Sequence, residues 1–190
     1  MCGRYYVDDE TANEINKIVK NIDKKLKLPR SGDIYPSEPA AVMREGRMGL
    51  TGDIMAWGFP RFDNKGFLIN ARAEGIFERK AFKDSILYRR CIIPAKGFYE
   101  WDTGKTKYSY ERKDSPVLFM AGCFDTENRF VIITTKANPS VSPVHDRMPL
   151  VLEPDELKDW VLNPYAVEYI LRKTPPMLNS KTDYEQLNLF

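Results

Sequence analysis

Val117-Leu118-Phe119-Met120-Ala121-Gly122-Cys123-Phe124, the polar turn Asp125-Thr126-Glu127-Asn128, and then Phe130-Val131-Ile132-Ile133-Thr134-Thr135 form the stretch that decides the fold. Two apolar runs rich in β-branched and aromatic residues flank a short polar turn, which is the pattern of two buried antiparallel strands. Residues 108–112 extend this sheet region upstream. Residues 91–94 and 97–101 read as two further strands, the second ending in the turn Asp102-Thr103-Gly104. Residues 40–44 pair with residues 48–57 across Glu45-Gly46-Arg47 as a hairpin. Tyr5, Tyr6 and Val7 mark a short strand over residues 2–7, and Leu150-Val151-Leu152 is a final core strand. Asp33-Ile34-Tyr35-Pro36-Ser37 has turn character. After the loop 58–66, Phe67-Leu68-Ile69 reads as a short buried strand that ends at Asn70.

The helices are fewer. Ile15, Ile18, Val19 and Ile22 stand at i, i+3, i+4 and i+7, which predicts an amphipathic helix over residues 10–22. One or two helical turns are expected within residues 76–85. Two helices close the fold, the first with Pro154 early and Asp155 and Glu156 in its first turn, the second beginning near Asn163-Pro164. With no repeat and no linker, residues 1–190 make a single α+β domain dominated by antiparallel strands.

Composition narrows the function. The chain has 190 residues, 43% of them hydrophobic, enough for one domain with a substantial core. No apolar run approaches the ~20 residues of a membrane span, and no basic region followed by an apolar stretch opens the chain, so a cytoplasmic protein without membrane partners is expected. Cys2, Cys91 and Cys123 are odd in number and far apart, which argues against disulfides and a Cys-x-x-Cys knuckle. With a single histidine, no metal is expected. Net charge is only +2, but residues 72–114 carry eleven basic and seven acidic side chains while residues 151–190 carry four and seven. A polyanion-binding middle segment fits this, as does ordinary solvated charge.

The chain begins Met1-Cys2-Gly3-Arg4. Removal of Met1 puts an α-amine and a thiol on adjacent carbons of Cys2, a pair that traps aldehydes. An α-amine titrates near ~7.7–8.0 against ~10.4 for lysine, so it is neutral far more often at neutral pH and attacks a carbonyl without special activation. Thiol addition to the resulting imine closes a five-membered thiazolidine, helped by the high effective concentration of an intramolecular step. If Met1 stays, Cys2 is simply a small residue beginning a strand.

Five segments together resemble one family: Met1-Cys2-Gly3-Arg4, Asn70-Ala71-Arg72-Ala73-Glu74, the run from Arg90-Cys91 through Gly97-Phe98-Tyr99-Glu100-Trp101, Thr134-Thr135, and His145-Asp146-Arg147-Met148-Pro149. The chain resembles the SOS response-associated peptidase (SRAP) family over almost its whole length. The resemblance implies a curved, barrel-like, mainly antiparallel sheet with flanking helices and a basic DNA groove. It implies a sensor of abasic sites in single-stranded DNA that links itself to the sugar aldehyde through Cys2. A Schiff base at this position can also drive β-elimination, so lyase activity can compete with ring closure, and a monomer without a cofactor is expected. Cys2 is then the nucleophile, Asn70 its positioner, Glu100 a general acid, and His145 a group that hydrogen-bonds the sugar or imine. Glu100 beside Trp101 is otherwise a strand-end carboxylate paired with a lysine, Asn70 a turn residue, and His145 a structural histidine.

Arg4, Arg72 and Arg147 accompany these groups, and their guanidinium forks suit phosphate oxygens. Trp57 and Trp101 are placed for base stacking, with core packing as the competing reading. Thr134 is a hydroxyl donor to phosphate or a plain strand residue. The family name keeps open a second class, a thiol peptidase or self-processing protein using Cys2 and His145. A third is a DNA-binding module without covalent chemistry.

Overall fold

In the computed structural model, which describes residues 2–18, 31–63 and 65–182, the central hairpin forms part of a closed barrel. In chain order the elements are β1 (Tyr5–Val7), α1 (Asp9–Ile18), β2 (Gly32–Ile34), β3 (Pro39–Gly46), β4 (Gly49–Trp57), β5 (Phe59–Pro60), β6 (Phe67–Leu68), β7 (Asn70–Arg72) and α2 (Lys83–Tyr88). They continue with β8 (Arg90–Ala95), β9 (Gly97–Trp101), β10 (Lys107–Arg112), β11 (Leu118–Phe124), β12 (Arg129–Lys136), β13 (Arg147–Pro149) and β14 (Val151–Leu152). The helices α3 (Glu156–Leu162) and α4 (Val167–Arg172) and the strand β15 (Leu178–Thr182) complete the described chain.

Strand pairing runs from β12 to β4, β3, β8 and β11 and back to β12, so these five close on themselves. Closure removes the exposed edges that a sheet of such apolar strands would otherwise present. A second, antiparallel sheet in the order β15-β10-β9-β1-β2 lies against it. The barrel strands are buried on both faces: Ile92, Ala121, Val131 and Ile133 belong to one core cluster and their neighbours Ile93, Met120, Phe130 and Ile132 to the other. That double burial is why the central stretch reads as continuous apolar runs rather than as alternation. Where β8, β11 and β12 converge the backbones leave room only for glycine. A Cβ on Gly122 would stand 2.3 Å from Ile93 Cδ1 and 2.8 Å from the Val131 carbonyl oxygen.

The helices α2, α3 and α4 cover the first cluster, and Arg90 ties two of them down. Its buried guanidinium donates to the Ile86 and Leu87 carbonyls at the end of α2 and to the Trp160 and Val161 carbonyls at the end of α3. Short helices leave their last carbonyls unpaired, and a cation there also complements the helix dipole.

Several expectations need correction. Asn70 opens a strand rather than ending one: among the described residues β6 pairs with β5, and β7 then joins β12 in parallel from Asn70 onward. Phe67 is 47% exposed, so the short strand there is not buried. The helix expected in residues 76–85 lies later, at Lys83–Tyr88, where Arg90 holds its end. Residues 33–34 are strand, with the turn only at 36–37, and residues 147–149 form the short strand β13. The closing element is not a helix but β15, whose polar sequence carries no inward alternation and whose place is set by backbone pairing with β10. The first helix is observed over Asp9–Ile18, and its expected extension through Val19 and Ile22 lies outside the described residues.

Candidate active site

Cys2 sits just before β1, and its side chain is fully buried. The Asn70 side chain, at the head of β7, donates from Nδ2 to the Cys2 carbonyl at 2.9 Å. Asn70 Oδ1, also buried, has no partner among the described residues. The Cys2 thiol lies 3.7 Å from the Arg4 carbonyl oxygen, to which it donates. Burial pushes this thiol well above the ordinary range, and the Glu100 carboxylate pushes it further. A backbone hydrogen bond at Arg4 and the chain's terminal ammonium pull the other way.

Glu100 reaches the same place from β9. On that strand Phe98 and Glu100 point inward while Tyr99 and Trp101 point outward, and Gly97 lets Tyr6 and β10 come close, since a Cβ there would meet the Tyr110 carbonyl oxygen at 2.4 Å. Glu100 is only 3% exposed. Burial raises its pKa, opposed by the terminal ammonium and by His145, with Asp146 adding a smaller upward push. A carboxyl raised in this way holds a proton at higher pH than usual and can deliver it.

His145 stands in the loop before β13. Its Nδ1 accepts from the Arg147 backbone N–H at 2.9 Å, which leaves the neutral ring's proton on Nε2. Asp146 Oδ1 lies 3.0 Å from the same nitrogen, so a protonated ring gains an ion pair there. The electrostatic reach of Glu100 to His145, to Cys2 and to the terminal ammonium, with the hydrogen bond from Asn70, brings all four sequence-identified catalytic candidates together.

The six other candidates divide. Arg4 lies with its guanidinium carbon 4.7 Å from the Tyr35 ring centroid and 5.1 Å from that of Trp101, and its Nη1 lies 3.6 Å from Asp33 Oδ2. Trp101 is partly exposed and Tyr35 is 40% exposed, so these two rings and the cation form an open patch beside the site. Arg72 is exposed on β7. Arg147 makes a two-pronged ion pair with Glu74, at 2.8 and 2.7 Å, and also donates to the Thr134 carbonyl at 2.7 Å. That pair holds the Glu74 carboxyl below the usual range. Thr134 is fully buried on β12, and Trp57 is enclosed in the core, parallel to Phe130 at 6.2 Å and donating from Nε1 to the Ile69 carbonyl. Neither has a face open to a nucleotide in this arrangement, because the barrel interior takes up their side chains.

Sequence reasoning missed Tyr35, Glu74 and two buried phenols. The hydroxyls of Tyr5 and Tyr110 are buried without a hydrogen-bond partner among the described residues, and the pKa of each is raised by a site group, Cys2 for Tyr5 and Glu100 for Tyr110, after burial itself. An unpaired buried hydroxyl costs about 1–3 kcal/mol. The inward alternation of Tyr108 and Tyr110 on β10 was the available signal. An open groove of about 1270 Å³ between the β3–β4 hairpin tip and α3 contains none of the site residues. Among the described residues no cluster of His, Cys, Asp or Glu is arranged to hold a metal, and no helix is long and apolar enough to cross a membrane.

Comparison with known proteins places this geometry in a family. Abasic site processing protein YoqW of Bacillus subtilis is 33% identical over 188 residues, covering 86% of this chain and 81% of that protein. Abasic site processing protein YedK of Escherichia coli is 27% identical over 176 residues, covering 85% and 79%. A crystal structure of a Bacteroides thetaiotaomicron protein superposes with a TM-score of 0.81 at 22% identity over 95% of this chain and 91% of that one, a likeness of fold. The family model described as SOS response associated peptidase (SRAP) matches residues 1–184, and the chain belongs to that family.

Proposed function

We propose that this protein processes abasic sites in single-stranded DNA by capturing the sugar aldehyde on Cys2, after removal of Met1, as a covalent thiazolidine adduct. The observation that carries the reading is the Asn70 side chain holding the Cys2 carbonyl beside the buried Glu100 carboxyl. One residue's amine and thiol are thereby fixed next to a proton donor. The relatives' names support the substrate, since YoqW and YedK are both abasic site processing proteins.

The steps balance without a cofactor. Glu100 gives its proton to the sugar ring oxygen and takes the anomeric hydroxyl proton in exchange as the ring opens to the aldehyde. The Cys2 α-amine attacks the aldehyde carbon and its surplus proton moves to the new alkoxide oxygen; Glu100 then protonates that hydroxyl, which leaves as water and gives the iminium. The thiol sulfur adds to the iminium carbon and its proton passes back to Glu100, closing the ring. A thiol kept protonated by burial is no obstacle, because the amine acts first and the iminium it forms is a stronger electrophile than the aldehyde. The same burial weighs against the thiol-peptidase reading, whose first step needs a thiolate. Arg4, Trp101 and Arg72 are the proposed strand contacts, a cation and ring patch and an exposed guanidinium flanking the site. One copy of the protein takes one lesion.

Cys2→Ser tests the proposal. It keeps the amine and removes the thiol, so imine formation continues without ring closure. The expected result is strand cleavage by β-elimination with no heat-stable adduct. A stable adduct from the serine variant would contradict the thiazolidine.

A further inference from the structure

Glu100 has a neighbour whose chemistry the fold leaves otherwise unexplained. In the β9–β10 ladder Glu100 lies opposite Tyr108 and Phe98 opposite Tyr110. Directly opposed residues share a face, so Phe98, Glu100, Tyr108 and Tyr110 form one inward group with Tyr110 on the diagonal from Glu100, within reach of a long side chain. The Tyr110 ring stacks on Phe98 at 5.1 Å and 19°, which fixes the direction of its hydroxyl. That hydroxyl is buried and unpartnered among the described residues. A phenylalanine would pack equally well and leave no polar atom to satisfy, so packing alone does not account for a tyrosine here. Burial, and after it the nearby Glu100 charge, pushes the phenol up to about 12, so it is a proton-bearing donor throughout the neutral range.

We propose that Tyr110 is a positioning residue for Glu100, its hydroxyl hydrogen-bonding the Glu100 carboxylate, directly or through one water, in the state reached after that carboxyl has delivered its proton. The inference rests on Glu100 acting as the acid in the proposed capture. Tyr110 keeps its own proton throughout and touches neither the amine nor the aldehyde. Its effect is to favour the deprotonated carboxyl at the moment when negative charge appears there, which is where differential stabilisation accelerates a step. Among the described residues, the other charged or titratable groups bearing on Glu100 are Cys2 before β1, His145 and Asp146 in the loop before β13, and Tyr108 on β10, together with the charge of the chain's terminal ammonium.

Tyr110→Phe tests this in protein beginning at Cys2. The Glu100 carboxyl is followed by carbon-detected NMR as pH is varied without DNA, and single-turnover adduct formation is measured on abasic single strands. Loss of a hydrogen bond to the charged form raises the Glu100 midpoint by about one unit and slows capture about tenfold. The melting temperature is expected to hold or rise, since an unpartnered hydroxyl is removed. An unmoved midpoint overturns the proposal whatever the rate does, because a merely structural role slows capture without touching the titration. A raised midpoint with an unchanged rate supports the contact between the two groups and instead removes Glu100 from the acid role.

Discussion

Asn70→Ala is the perturbation whose size follows most directly from the geometry. The lost contact is a hydrogen bond of 2.9 Å between neutral groups, Asn70 Nδ2 and the Cys2 carbonyl. Such a bond contributes about 1 kcal/mol net. It also holds the backbone of the one residue that carries both reacting groups, and releasing a residue from a single backbone conformation is worth about 1–2 kcal/mol. Together about 2–3 kcal/mol of positioning is lost, which slows capture about thirty- to two-hundred-fold. The assay is a single-turnover time course with Met1-free protein in excess over a labelled abasic strand, resolved on a denaturing gel. Affinity for the same strand without an abasic site is measured in parallel and is expected to hold, since Asn70 is not among the proposed strand contacts. Asn70→Asp is expected to be slower still, because it removes the donor and adds negative charge near Glu100, making the carboxyl harder to deprotonate. A capture rate for Asn70→Ala within threefold of the parent would refute the positioning argument.

Other consequences follow from the same contacts. Glu100→Gln is expected to slow capture at least a hundredfold by removing the proton donor, measured by the same time course. It also changes the pH dependence of stability. With a folded pKa above its unfolded value, Glu100 makes the fold bind more protons than the unfolded chain, so stability falls as pH rises from the ordinary glutamate range through the raised value. The glutamine variant should lose that decline in a pH series of thermal melts. Arg72→Ala is expected to lower the slope of log affinity against log salt by about 0.7, the worth of one phosphate contact on a single strand. Glu74→Gln should tighten strand binding and steepen the same slope, because it releases Arg147 from its two-pronged ion pair.

Much of this was legible in the chain, and the exceptions have physical reasons. The barrel strands announce themselves because burial on both faces leaves them almost wholly apolar, as in β11 and β12. β15 stays silent, since Leu-Asn-Ser-Lys-Thr places one buried side chain and is held by its ladder to β10. Cys2, Asn70, Glu100 and His145 are four residue types whose chemistry is recognisable alone, and family resemblance joined them across nearly the whole chain. Asn70 reaches Cys2 from β7, which is placed by parallel pairing with β12, a non-local contact that no window of residues contains. Trp57 and Thr134 show the reverse limit: a tryptophan beside a glycine and a threonine near an arginine look the same in sequence whether they face DNA or, as here, the core. Tyr110 escaped for a third reason, because an orphaned hydroxyl exists only once its surroundings are known.

The central claim is that the amine and thiol of one residue, Cys2, capture the aldehyde together. Intact mass of the product formed with a single-stranded oligonucleotide bearing one abasic site tests it most directly. The account predicts one heat-stable species whose mass is that of the protein lacking Met1 plus the oligonucleotide, less one water, with none from protein that retains Met1. An adduct of full mass on Met1-bearing protein, or no adduct on protein that begins at Cys2, would contradict it.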